Sequence, residues 1–126
     1  MIILRYKVWD KKNKEMIMGV DFVNEEVLLR IPKENNEFEF IWKNLKYFDL
    51  IEYTELNDDS DNPIYQNDIL EGYSVYPEAD VFKSFYKGVV FYNEENKTWY
   101  CGQYKLSQVN YQMKVIGNTI ENPELV

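Results

Sequence analysis

Ile2, Leu4, Tyr6 and Val8 alternate with Arg5 and Lys7, and the same two-residue rhythm returns along most of the chain. A period of two puts apolar side chains on one face of an extended strand, so the pattern predicts half-buried β-strands. Residues 10–14 (DKKNK) have turn chemistry. Met16, Met18 and Val20 then resume the alternation, which predicts an opening hairpin with a bulge marked by Gly19. Phe38, Phe40 and Trp42 alternate next, followed by the β-forming run 47–56 (YFDLIEYTEL). Residues 21–32 admit two readings. One is a short helix capped by Asp21; the other is a loop at 24–26 followed by a strand at 27–31. Pro32, directly after, favours the strand.

A polar loop at 57–62 (NDDSDN) separates this half from a second β unit that starts with NPIYQNDIL. Residues 75–80 form a loop. Residues 81–92 form one long strand, or two strands broken at Gly88. A return strand carries Trp99, the last strand spans 113–118, and 122–126 is a tail. The expected fold is mainly β: antiparallel strands forming an N-terminal β unit and a C-terminal SH3-like, partly open barrel. The alternative is α+β with one short helix near 21–30. The chain is expected to be a single domain over 1–126, with 1–56 and 57–126 as its finest division into lobes.

Composition narrows the chemistry. Hydrophobic residues make up 45% of 126, enough for a core and too many for a disordered chain. No run approaches the ~18 apolar residues of a membrane span. Arg5 and Lys7 arrive too early for the core of a signal peptide, which points to the cytoplasm and away from a membrane. There is no histidine and one cysteine. Histidine-dependent nucleophilic systems and Cys/His zinc sites therefore cannot be built within this chain. The net charge of −8, from 22 acidic against 14 basic residues, repels phosphate backbones unless the basic residues segregate. Lys11, Lys12 and Lys14 read as a solvated turn.

Four phrases then line up in order: RYKVWDKKNKEMI, IEYTELNDDSDNPIYQNDIL, KGVVFYNEENKTWY and VIGNTIENPELV. Their succession resembles the YopX family of bacteriophage and prophage proteins over nearly the whole chain. The most specific parts are the closing phrase and the Ile-Tyr-x-x-Asp-Ile core. The family usually has a glycine after "YT" and Glu-Gly before Asp-Ile, where this chain has Glu55, Gln66 and Asn67. The resemblance implies a phage-encoded cytoplasmic protein with a mostly β fold. The family is uncharacterised, so the resemblance brings no catalytic residues. Its motif positions are Trp9, Asp10, Ile64, Tyr65, Asp68, Ile69, Gly88, Gly117, Asn118, Asn122 and Pro123. Ile64 and Ile69 are expected to anchor a core. Asp68 is expected to accept backbone N–H groups and fix a diverging turn.

Other candidate chemistry is weak. Asn57, Asp59, Asp61 and Asp68 have part of a calcium-loop spacing, but Asn62 and Pro63 stand where such a loop needs a glycine and a free backbone. No metal or cofactor is expected. Cys101 reads as a small apolar strand residue. The carboxylate pairs Asp49/Glu52 and Glu94/Glu95 have no distinguishing spacing, and no catalytic residue is expected. The tyrosines exceed what a small core can satisfy, which suggests self-association or protein partners, with Tyr73, Tyr76 and Tyr86 exposed at the interface. The rival is a nucleic-acid-related module, either a binder or an acidic DNA mimic. A binder would need a basic face, with Lys83, Lys87 and Lys105 aligned beside Arg5 and Lys7.

Overall fold

The computed structural model describes residues 5–17, 21–23, 26–74 and 84–126. The expected bulge at Gly19 and the loop at 75–80 lie outside them. The fold is mainly β with antiparallel pairing, and the chain divides into two compact units, Met1–Glu52 and Tyr53–Val126.

In the first unit, β1 (Tyr6–Asp10) and β2 (Glu15–Ile17) form the opening hairpin, in register Trp9↔Met16. β3 (Asp21–Val23), β4 (Glu26–Pro32) and β5 (Phe38–Asn44) form a separate three-stranded sheet in chain order. Strands at Asp21–Val23 and Glu26–Pro32 thus stand where one short helix near 21–30 was the alternative. Glu26 pairs with Asn44 and Pro32 with Phe38 across β4 and β5, because Pro32 and the Glu34–Asn36 turn force the chain back on itself. β6 (Phe48–Asn57) begins in this unit by pairing with β1, Trp9 opposite Asp49 and Asp10 opposite Phe48. Val8, Phe48 and Ile51 are buried.

The second unit begins with the end of β6. Its Tyr53 and Asn57 pair with Tyr65 and Pro63 of β7 (Pro63–Tyr65), with a bulge between them. Thr54 is buried at that bulge. Its hydroxyl donates to the Ile64 carbonyl at 2.8 Å and accepts the Leu56 N–H at 3.2 Å. β8 (Asp68–Ser74), β9 (Ser84–Asn93), β10 (Thr98–Cys101), β11 (Tyr104–Lys105) and β12 (Met113–Asn118) form a half-barrel sheet in the order β11-β10-β9-β8-β12. β7 and β8 adjoin in sequence but belong to different sheets, so the chain diverges at Gln66 and Asn67.

β9 runs unbroken through Gly88, so of the two readings the single long strand is the one observed over the described residues. The glycine answers crowding: a Cβ would meet the Cys101 Sγ at 3.0 Å and the Tyr86 ring at 3.0 Å. A short helix that the sequence did not suggest, α1 (Leu106–Val109), follows β11. Its Leu106 and Val109, three residues apart on one helical face, join Ile64, Leu70, Val90, Cys101 and Met113 in the core. Among the described residues, no helix is long and apolar enough to cross a membrane.

Glu55, where the family usually has glycine, takes φ 68, and Asn67 takes φ 71. Asparagine tolerates the left-handed region, whereas an exposed glutamate gains nothing there. Glu55→Gly is expected to stabilise the fold by about 0.5–1 kcal/mol, the left-handed strain relieved less the extra unfolded-state entropy of glycine. Gly102→Ala, at φ 59 and against the Tyr86 hydroxyl, is expected to destabilise by about 2 kcal/mol or more. Urea unfolding of the two variants checks both signs.

Candidate functional site

The motif residues are structural anchors rather than a convergent constellation. The Asp68 carboxylate accepts the Tyr65 N–H at 2.8 Å, which ties the two ends of the diverging turn together. Ile64, Tyr65, Asp68 and Ile69 are all buried. Trp9 is half-buried beside Met16. The Asp10 carboxylate accepts the Lys12 and Asn13 N–H groups at 3.0 and 3.1 Å and the Asn13 side-chain amide at 2.8 Å. Burial by itself pushes the Asp10 carboxyl up; the hydrogen bonds from Asn13 and Lys12, with Lys43 nearby, outweigh it and hold the group below the ordinary range.

The closing phrase works the same way. The Asn118 Oδ1 accepts the Ile120 and Glu121 N–H groups, and the Asn122 Oδ1 accepts the Asn118 N–H. Gly117 lies against Asn122 and Leu125, where a side chain would not fit, and Pro123 starts the terminal turn.

Sequence reading missed Asp58. Within the polar loop at 57–62, Asp58 is buried and braces the second unit. Its Oδ1 accepts the Ser60 and Asn62 N–H groups, and its Oδ2 accepts the Val115 N–H of β12 at 3.0 Å. Asn110 and Asp59 add bonds to Asn57 and Met113. Among the described residues, no three of His, Cys, Asp and Glu converge where a metal could sit. Asp49 and Glu52 lie an odd number of residues apart in one strand and so point to opposite faces. Glu94 and Glu95 stand exposed in the β9–β10 turn. Cys101 is buried, and burial pushes its thiol up to about 12, so it stays protonated at neutral pH.

What remains as a candidate site is aromatic surface. On the outer face of the half-barrel, Tyr73 and Phe85 stand directly opposite each other, ring centroids 5.6 Å apart and edge to face, 59% and 58% exposed. They border a groove of about 460 Å³ with Asp59, Glu71, Gln112 and Lys114. Phe91 and Tyr100 form a second pair on that face at 5.9 Å. Tyr86 does not belong to this surface. It is half-buried on the core side, edge-on to Tyr104 at 4.9 Å, and its hydroxyl accepts the Gln103 N–H. That corrects the expectation of an exposed Tyr86; Tyr76 lies outside the described residues.

In the first unit, Phe40 and Trp42 lie two residues apart on β5, 63% and 48% exposed. Trp42 borders a recess of about 400 Å³ with Asp10, Lys12, Asn13, Lys43, Tyr47 and Phe48. Charge separates between the units. The first has nine basic against ten acidic residues, a net −1; the second has five against twelve, a net −7.

The fold and surfaces define a small antiparallel β protein in two units, braced by Asp and Asn side chains and bearing exposed aromatic pairs. The chain belongs to the YopX family, whose model, described as YopX protein, matches residues 5–126. It is also similar to a solved structure, protein EF1440 from Enterococcus faecalis, with a TM-score of 0.65 at 21% identity over 99% of each chain. That likeness bears on the fold alone. No curated protein matches the chain.

Asp58→Asn would aim an amide at the Val115 N–H and leave a buried donor unmatched, so it is expected to cost about 2 kcal/mol. Thermal or urea unfolding checks this. Because Asp10 titrates below its unfolded value, its contribution to stability is complete above roughly pH 4 and falls away as pH drops through the lower folded value. In Asp10→Ala, the acid limb of the stability–pH curve is expected to flatten.

Proposed function

We propose that this chain is a non-enzymatic, phage-encoded module that works in the host cytoplasm by binding other polypeptide chains, further copies of itself included. The observation that carries this reading is the exposure of large aromatic side chains in pairs on β-sheet surfaces: Tyr73 with Phe85, and Phe40 with Trp42. Such side chains are enriched at protein interfaces, where they bring large area at low entropic cost. A surface this apolar on a chain of net charge −8 favours a protein partner over a phosphate backbone.

One feature supports a second reading. Trp42 and Tyr47 share their recess with Lys12 and Lys43, and Lys46 sits 5.0 Å over the Tyr47 ring. Single-stranded nucleic acid is held by such stacking rings beside cations. Within the basic face a nucleic-acid binder would need, Lys87 stands opposite Glu71 across the β8–β9 pair, which offsets its charge; Lys83 lies outside the described residues.

Sedimentation over a wide concentration range, with a parallel titration of single-stranded DNA at low and high salt, separates the two. Concentration-dependent association is expected. It should weaken at least ~10-fold in the double variant Tyr73→Ser/Phe85→Ser or in Trp42→Ser, the scale of a lost aromatic hot spot. A strictly monomeric chain that binds DNA, and binds it less as salt rises, would contradict the reading.

A further inference from the structure

β5 is an edge strand: it pairs with β4 on one side, and among the described residues no strand pairs its other side. Its residues Glu39, Phe40, Trp42, Lys43 and Asn44 are exposed and Ile41 is half-buried. An edge of this length bearing Phe40, Ile41 and Trp42 offers a free row of backbone groups to another strand, and no proline or bulge interrupts it. Its charged residues, Glu39 and Lys43, deter strands that do not neutralise them. The sequence Glu39-Phe40-Ile41-Trp42-Lys43 specifies which strand fits. Placed antiparallel to a second copy of itself about a two-fold axis through Ile41, it sets Glu39 opposite Lys43, Phe40 opposite Trp42 and Ile41 opposite Ile41.

We propose that β5 is a self-complementary docking edge, and that its partner is β5 of a second copy of this chain. The inference rests on the reading of the protein as a polypeptide-binding module and names one surface and one occupant for it. Opposite residues in an antiparallel pair share a face. Both copies' Phe40 and Trp42 therefore gather on one face of a continuous six-stranded sheet, as two aromatic cross-strand pairs. The other face carries the isoleucine pair at the axis with an ion pair on each side of it. Glu39 already lies 2.9 Å from Lys33 of its own chain, so it would stand between two ammonium groups. Shifting the pairing by one residue would set unlike faces together. Shifting it by two one way sets Lys43 opposite Ile41 and loses both ion pairs; shifting it by two the other way replaces Glu39 with Glu37 opposite Lys43 and leaves the Glu39 carboxylate opposite Ile41, so the register centred on Ile41 is the one that pairs Glu39. A two-fold contact uses the same patch on both copies and closes at a dimer.

Sedimentation equilibrium of charge variants tests the assignment, with circular dichroism as a check that each is folded. Lys43→Glu faces Glu39 with glutamate, and Glu39→Lys faces Lys43 with lysine; each alone is expected to weaken dimerisation at least ~10-fold through two symmetric like-charge pairs. Mixing the two variants restores opposite charges at both ends, so a heterodimer of wild-type affinity is expected, as is a homodimer of the double variant E39K/K43E. The assignment is overturned if the wild type stays monomeric at high concentration, if either single variant dimerises like wild type, or if mixing fails to restore association. Association that survives both charge variants but is lost in Tyr73→Ser/Phe85→Ser would overturn the assignment to β5 and leave the broader reading of a protein-binding module standing.

Discussion

Every tight connection in a β protein leaves backbone N–H groups that no neighbouring strand can accept, and this chain meets the need with short carbonyl side chains. Asp10, Asp58, Asp68, Asn93 and Asn118 each place an oxygen on one or more such groups. A buried donor left without a partner costs about 1–3 kcal/mol, comparable with a sizeable share of a small domain's net stability. The two hairpin turns show how regular the device is. Asp10 accepts from residues two and three positions on, Asn93 does the same, and each turn ends on a lysine in the left-handed region, Lys14 at φ 54 and Lys97 at φ 53. Asp58 and Asp68 do more than close turns, because one holds the 57–62 loop to β12 and the other fixes the divergence of β7 from β8.

With the turns held from within, the sheets need few large side chains for loop packing. The core of the second unit is compact and mostly aliphatic, with Tyr86, Trp99 and Tyr104 at its margin. Other rings are left on the outside, and in β5 and on the outer face of the half-barrel they come as opposed or alternating pairs. The same alternation that builds a strand thus also builds a binding stripe wherever no second layer covers it.

The strands were legible because alternation is a strong signal. The opening hairpin, the strand before Pro32 and the last strand at 113–118 lie where the pattern put them. The Asp68 turn was legible because an aspartate before an apolar strand has a specific use for its carboxylate. Asp58 was not, since five neighbouring polar residues look alike until the fold turns one of them inward. The helix Leu106–Val109 is a single turn, too short for any period to register. The sequence leaves one strand or two open at Gly88, because crowding by Cys101 from β10 and by Tyr86 two residues back in the same strand becomes visible only in the fold. Tyr86 was misplaced because composition counts tyrosines without saying which face of β9 each occupies. The two-fold complementarity of β5 was present in the sequence throughout, but it acquired meaning only once β5 was seen to be an edge.

The account stands or falls on side-chain carbonyls acting as structural partners of buried backbone. Amide hydrogen exchange read residue by residue tests this most directly at Val115 and Tyr65, whose N–H groups point to Asp58 and Asp68 rather than to a strand. The account predicts that both exchange only through global unfolding, as slowly as the core amides of β8 and β9. Exchange at the rate of an open loop at either position would contradict it.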